Sequence, residues 1–282
     1  MSAEPTPVDA WAALRALTEA RIGLARSGAS LATRPMLELR LAHARARDAV
    51  QAELDIPRLA AEAGALGLAV LHVESAAPRR EDFVRRPDRG RVLADGAAAA
   101  LAPHAGAHDV AFVLADGLSA ASVQRLGVTL LAAALPALRD GGWRVAPPVI
   151  VRGGRVAIGD AVAAALGATA VVVLLGERPG LSAPESMGAY VTWRPHAQTT
   201  DAERNCISNI RAGGLDAAAA AAQVVALLGA MRARVCSGVV LREHPHPDPL
   251  PLAGEGEENP LSRLREREGP APQAWEGEAA QS

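Results

Sequence analysis

The chain has 282 residues, half of them hydrophobic, with 29 arginines against 31 acidic side chains and a formal net charge of −2. At roughly 150 residues per domain, that is one large domain or two small ones, long enough to bury a core without disulfides or metals. The near-neutral balance argues against a nucleic-acid partner, and the lack of any lysine reads as composition bias rather than a phosphate-binding design.

The first 75 residues are helical in period. Val8 to Ala25 and Pro35 to Gln51 carry Leu and Ala at three- and four-residue spacings, punctuated by Gly23 and Gly28. Ala76 to Gly90 is charged and proline-containing and reads as a connecting loop. The pattern then changes to alternating strand and helix. Val110 to Ala115 is a short apolar run ending at Asp116-Gly117, and Ser119 to Leu138 is helix-like, with Ser119 placed to cap it. Pro148 to Val151 is a second apolar run, turned by Gly153-Gly154. A short helix follows over Asp160 to Leu166, and Ala170 to Leu175 is the clearest strand. Asp216 to Arg234 is an alanine-rich helix. Continuous apolar runs separated by helices imply buried parallel strands. The fold expected is therefore α/β: a Rossmann-like doubly wound parallel sheet behind a helical N-terminal region. Its boundaries fall at residues 1–90 for the helical region and linker, 91–243 for the sheet domain, and 244–282 for a tail.

That tail holds seven of the 20 prolines and a net charge of −5, leaving the body near +3. Alternating prolines from His244 remove backbone donors, and large apolar groups are too few to offset the entropy of ordering. A disordered appendage is expected.

Ligands of doubly wound sheets sit beyond the carboxyl ends of the strands, so three loops matter. Asp116-Gly-Leu-Ser119 leads into a helix N-terminus, which suits an anion or an amide carbonyl, although Asp116 also serves simply to start the turn. Gly176-Glu-Arg-Pro-Gly-Leu-Ser182 presents Glu177 and Arg178, read as an ion pair, in a loop bent by two glycines and stiffened by Pro179. Thr200 to Ile210 surrounds Cys206 with polar residues and shows little periodicity. On local rules Cys206 is a small buried hydrophobe rather than a nucleophile. Neither Gly-x-x-x-x-Gly-Lys-Ser/Thr nor Gly-x-Gly-x-x-Gly occurs. Two cysteines, Cys206 and Cys236, exclude a disulfide framework and a cysteine zinc site, and the histidines have no metal-ligand spacing. No apolar run of about 18 residues is free of charge or turn signals, and Met1 to Asp9 is not signal-like. No membrane span or secretory signal is expected, and a soluble intracellular chain is.

Six ordered blocks resemble the small subunit of ethanolamine ammonia-lyase. They are Ala42–Val50, Arg86–Arg91, Leu114–Ser119, Val151–Asp160, Gly176–Ser182 and Asp201–Ile210, and the likeness runs from about residue 8 to about residue 243. The resemblance implies an adenosylcobalamin-dependent enzyme that converts ethanolamine to acetaldehyde and ammonia. It also implies a separate large subunit holding the substrate and most catalytic groups, in a higher hetero-oligomer. No catalytic residue and no metal ligand is expected in this chain. Residues matching Val156, Glu177 and Cys206 bind the cofactor in the family. The mutase pattern Asp-x-His-x-x-Gly is absent, so the resemblance implies base-on cobalamin. A cytoplasmic location is implied, either free or within a bacterial microcompartment. Two other readings stand beside it: a nucleotide-dependent α/β enzyme, suggested by fold alone, and a non-catalytic scaffold that pairs through its helical front.

Overall fold

Two apolar runs, Val110–Ala115 and Ala170–Leu175, lie side by side at the centre of a six-stranded sheet. The structure is a computed structural model that describes residues 11–243. Residues 1–10 and the tail read as a disordered appendage lie outside the described residues. In chain order, helix α1 (Ala12–Ala16) precedes a two-residue antiparallel hairpin, β1 (Arg26–Ser27) and β2 (Ser30–Leu31), and then helices α2 (Thr33–Gln51) and α3 (Ile56–Gly64). Strand β3 (Leu71–Glu74), helices α4 (Arg80–Arg85) and α5 (Ala97–Leu101), strand β4 (His108–Ala115) and helix α6 (Ala120–Asp140) follow. Strand β5 (Val149–Arg152), helix α7 (Ile158–Leu166) and strands β6 (Ala168–Gly176), β7 (Met187–Trp193) and β8 (Arg204–Ile210) complete the sheet. Helices α8 (Ala217–Arg234) and α9 (Val239–Glu243) end the described chain.

The strand order is β3-β5-β4-β6-β7-β8. The first four run parallel, while β7 pairs antiparallel with both β6 and β8. From β4 the chain moves through α6 to β5 on one side, then through α7 to β6 on the other. The topological switch therefore lies at the carboxyl ends of β4 and β6.

Alternate residues of the central strands feed two cores. Phe112, Leu114, Val172 and Leu174 pack with α3, α6 and α8 on one face. Val113, Ala115, Val171 and Val173 pack with α5 and α7 on the other. Burial on both faces explains why these strands read as unbroken apolar runs. Helix α6 has the length and mean hydropathy, 1.4, of a membrane-crossing segment. Ten of its residues are buried against the sheet, which accounts for its apolarity.

Several sequence expectations are corrected. The sheet is mixed rather than wholly parallel. The antiparallel strands escaped notice because neither is an unbroken apolar run: in β7 Met187, Ala189 and Val191 face the α8 core while Gly188, Tyr190 and Thr192 face the other side, and β8 intersperses exposed polar residues among buried ones. The Thr200–Ile210 loop is largely strand β8. Its polar Asn205 is buried because its side chain accepts from Gly238 N–H at 2.6 Å and donates to Gly238 O at 3.2 Å. Strand β3, too short and too polar in His72 and Glu74 to signal itself, joins the sheet from within the stretch read as helical. Among the described residues of the Val8–Ala25 stretch, only Ala12–Ala16 is helical, and the Ala76–Gly90 loop contains α4. Ser119 sits at the start of α6, but its hydroxyl donates to Pro184 O at 3.2 Å instead of capping. Asp216 does cap α8, accepting from Ala219 N–H at 2.8 Å.

One buried ion pair locks β8 to the sheet. Arg204 donates to both carboxylate oxygens of Asp160, in the first turn of α7, at 2.7 and 2.6 Å. The Arg204 side chain is 4% exposed and that of Asp160 10%. Burial opposes the guanidinium charge, yet the bonds to Asp160 outweigh it and hold its pKa above the usual value. Asp160→Asn is expected to lower unfolding free energy by about 3–5 kcal/mol in urea titration, because a buried cation loses its partner. Asp201→Asn, whose carboxylate is 88% exposed at 3.6 Å from Arg204 Nε, should cost about 1 kcal/mol or less.

Candidate functional site

The ends of β4 and β6 meet backbone to backbone. Leu118 N–H donates to Gly176 O at 2.9 Å. Gly117 has φ +55°, and a Cβ there would lie 2.2 Å from Gly176 O; a Cβ on Gly176 would lie 2.2 Å from Ser119 O. Only glycine at both positions permits this approach. Nearby, Asp116 is buried and accepts from Gly154 N–H at 3.2 Å, tying β4 to the turn after β5. Burial pushes the Asp116 carboxyl up, against N–H donors from Gly153, Gly154 and Gly117 and the Arg80 charge. Arg80 reinforces the junction by donating to Gly117 O at 2.6 Å and to Val50 O.

Above these strand ends lies an open cleft of about 540 Å³. Its apolar wall is formed by Leu118, Val156, Ala157, Leu175 and the Tyr190 ring; Arg91, Arg155, Arg178, Glu177 and Asp201 supply the charges. The volume is within the range of small-molecule sites. The cleft reaches Tyr190 on the α7 side of β7. Helix α7 covers β4 and β6, whereas α8 packs on β7 and β8 from the opposite face. Cys206 and Ser208 are accordingly exposed.

The sequence-derived residues fall as follows. Val156 and Glu177 both line the cleft. Cys206 is the direct cross-strand partner of Tyr190, so the two side chains share one face of the sheet. They also share a hydrogen bond, and burial first, then the neighbouring Cys206 and Glu177, hold the Tyr190 hydroxyl pKa above its ordinary value. Cys206 is thus exposed at the margin of the cleft rather than a buried hydrophobe. The Glu177–Arg178 ion pair is not formed. Glu177 Oε2 accepts instead from Ser186 Oγ at 2.5 Å and from Asn209 N–H at 3.3 Å. Its backbone N–H donates to Ser186 O at 2.8 Å. These contacts hold one carboxylate oxygen in place, and Oε1 lies over Gly188, where a Cβ would come within 3.0 Å of it.

The N-terminal arm braces the same loop. Arg21 donates to Ser182 Oγ and Leu181 O, each at 3.2 Å, and Ser182 Oγ donates to Glu19 O at 2.9 Å. Arg211 closes the circuit on Glu19 at 2.8 Å.

Sequence reading missed Tyr190, Arg91 and Arg155. The alternation Gly188-Ala-Tyr-Val-Thr192 could have revealed a strand with Tyr190, the only tyrosine, on its wetter face. The arginines offered no comparable signal in a chain holding 29 of them. The site has no nucleophile–base pair, and among the described residues no group of three or more His, Cys, Asp or Glu is placed to hold a metal ion.

Comparison with known proteins places this geometry in context. The family model for ethanolamine ammonia-lyase light chain (EutC) matches residues 8–242. An ethanolamine ammonia-lyase small subunit from Ralstonia nicotianae is 49% identical over 237 residues, covering 83% of this chain and 88% of its own. Those from Bradyrhizobium diazoefficiens and Xanthomonas campestris pv. campestris are 50% and 48% identical. They cover 82% and 86% of this chain, and 89% and 91% of their own lengths. With a match spanning both cores and every wall of the cleft, the chain belongs to the ethanolamine ammonia-lyase light-chain family.

Proposed function

We propose that this chain is the small subunit of an adenosylcobalamin-dependent ethanolamine ammonia-lyase. In this reading it covers the cofactor at an interface with a separate large subunit, which supplies the substrate pocket and catalytic groups. The observation that carries the reading is the convergence of Val156, Glu177 and Tyr190 on one open cleft at the switch point, with Cys206 the cross-strand partner of Tyr190.

The residues fit a corrinoid's chemistry. Such a ligand is a broad apolar ring edged with amide side chains, larger than the cleft encloses. Val156 and the Tyr190 ring offer flat apolar contact, and Cys206 adds a small polarizable surface that packs without ionising. Glu177, held by Ser186 and Asn209, presents carboxyl oxygens as acceptors for amide N–H groups. The open side of the cleft calls for a second surface, as a dry site does when closed by a partner. The chemistry supplied by bound adenosylcobalamin is radical generation at its cobalt–carbon bond, the protein's part being orientation and exclusion of water. Base-on binding is the form proposed, and the isolated chain is inactive, having no acid–base set of its own. A nucleotide-binding alternative is less well supported, because the Leu118 N–H at the start of α6 is already committed to Gly176 O.

Adenosylcobalamin titrated into the complex of the full chain with its large subunit tests this reading. Glu177→Ala should weaken binding by one to two decades, corresponding to a charge-assisted bond of about 1.5–3 kcal/mol. Glu177→Gln should do nearly the same while leaving acceptor capacity for Ser186 and Asn209, which separates ligand loss from loop collapse. Unchanged affinity in both variants would remove the assignment.

A second expectation concerns the thiol. Cys206→Ser preserves shape and the bond to Tyr190, so affinity should change by less than about threefold, well under one decade of binding. Complete inactivity of that variant with normal cofactor binding would show that the sulfur takes part in chemistry rather than contact.

A further inference from the structure

Arg155 is held in a place where an arginine is costly. It follows the Gly153-Gly154 turn, its backbone N–H donates to Gly90 O at 2.8 Å, and its guanidinium lies 4.5 Å from the centroid of the buried Phe83 ring. Arg80 lies over the same ring at 5.0 Å. The Nε atom of Arg155 is buried and has no hydrogen-bond partner among the described residues. Burial, and then the charge of Arg91, disfavour its ionisation; Asp116 pulls the other way, but burial pushes that carboxyl up as well.

A second arginine, the exposed Arg91, stands beside it. Arg91 and Arg155 both line the cleft and repel each other. Ion pairs satisfy many other arginines: Arg204 with Asp160, Arg144 with Asp109, Arg211 with Glu19. Of the carboxylates that also line the cleft, Glu177 is engaged with Ser186 and Asn209, and Asp201 is 88% exposed with Arg204 as its nearest cation. Two like charges on one wall, that of Arg155 partly desolvated, are stabilised by an anion placed between them. A planar guanidinium fork matches phosphate oxygens in particular.

We infer that Arg91 and Arg155 form an anion subsite of the cleft that takes a phosphate group, which in the proposed ligand is the phosphodiester of the cobalamin nucleotide loop. This rests on the cobalamin reading above and extends it to one further part of the ligand. Val156, adjacent to Arg155, then marks the boundary between the apolar ring surface and the charged subsite.

Three probes, titrated by absorbance into the complex of the full chain with its large subunit, test the subsite: adenosylcobalamin, adenosylcobinamide phosphate and adenosylcobinamide. The third lacks the phosphate, and the second keeps it without the lower base. Arg155→Gln and Arg91→Gln should each weaken the two phosphate-bearing probes tenfold or more and leave adenosylcobinamide within twofold. Arg91 is exposed, so its variant should keep the wild-type melting temperature even if Arg155→Gln loosens the packing on Phe83. Equal weakening of all three probes, or no change in any, would overturn the subsite and leave the cobalamin reading intact. Failure of the wild-type complex to bind any of the three would overturn the cobalamin reading, and the subsite with it.

Discussion

The contact between Gly117 and Gly176 governs the geometry of everything above the sheet. Because neither residue has a Cβ, the loops leaving β4 and β6 pass at backbone distance and exchange a hydrogen bond. That closes the floor of the switch-point crevice, where other doubly wound folds open toward their ligand. The polar residue leaving β6, Glu177, is carried over β7, where its carboxylate lies against Gly188, and in the proposed role the ligand surface extends toward Tyr190 and the exposed Cys206. The same floor is pinned by Asp116 to the turn after β5 and by Arg80 to Gly117. Hydrogen bonds thus tie three strand ends to one another and to Arg80.

Rigidity of this kind suits a surface whose function is to cover. The proposed role requires neither a proton relay nor a nucleophile from this chain. It requires Val156, Glu177 and Cys206 to hold fixed positions against a large flat ligand. The structure devotes much of its polar bonding to that end: Ser186 and Asn209 on Glu177, Tyr190 on Cys206, Asp160 on Arg204, and the arm from Glu19 and Arg21 on the loop that follows Glu177. Loops that carry function are commonly mobile, but this one is strapped at both ends.

What the sequence disclosed depended on how each segment meets water. Strands β4 and β6 are buried on both faces, so their apolar runs announced a sheet and its helices. Strands β7 and β8 alternate small, polar and apolar residues, and that alternation carried no run to read. Strand β3 spans four residues, two of them polar, and signals nothing locally. The placement of Cys206 beside Tyr190 is a matter of cross-strand register, which the sequence of either strand alone does not contain. For Val156, Glu177 and Cys206 as cofactor contacts, family resemblance supplied the assignment; local rules favoured packing and an ion pair. Arg155 was invisible for a different reason. Its significance is a missing partner, and only coordinates reveal one.

The proposed role makes the cleft over the β4–β6 junction half of a cobalamin site completed by another chain. Its most direct test is an experimental structure of the full chain assembled with its large subunit and adenosylcobalamin. The account predicts the corrin edge in van der Waals contact with Val156 and the Tyr190–Cys206 pair, with a corrin amide donating to the Glu177 carboxylate. A corrinoid enclosed wholly by the large subunit, with this cleft facing solvent, would contradict it.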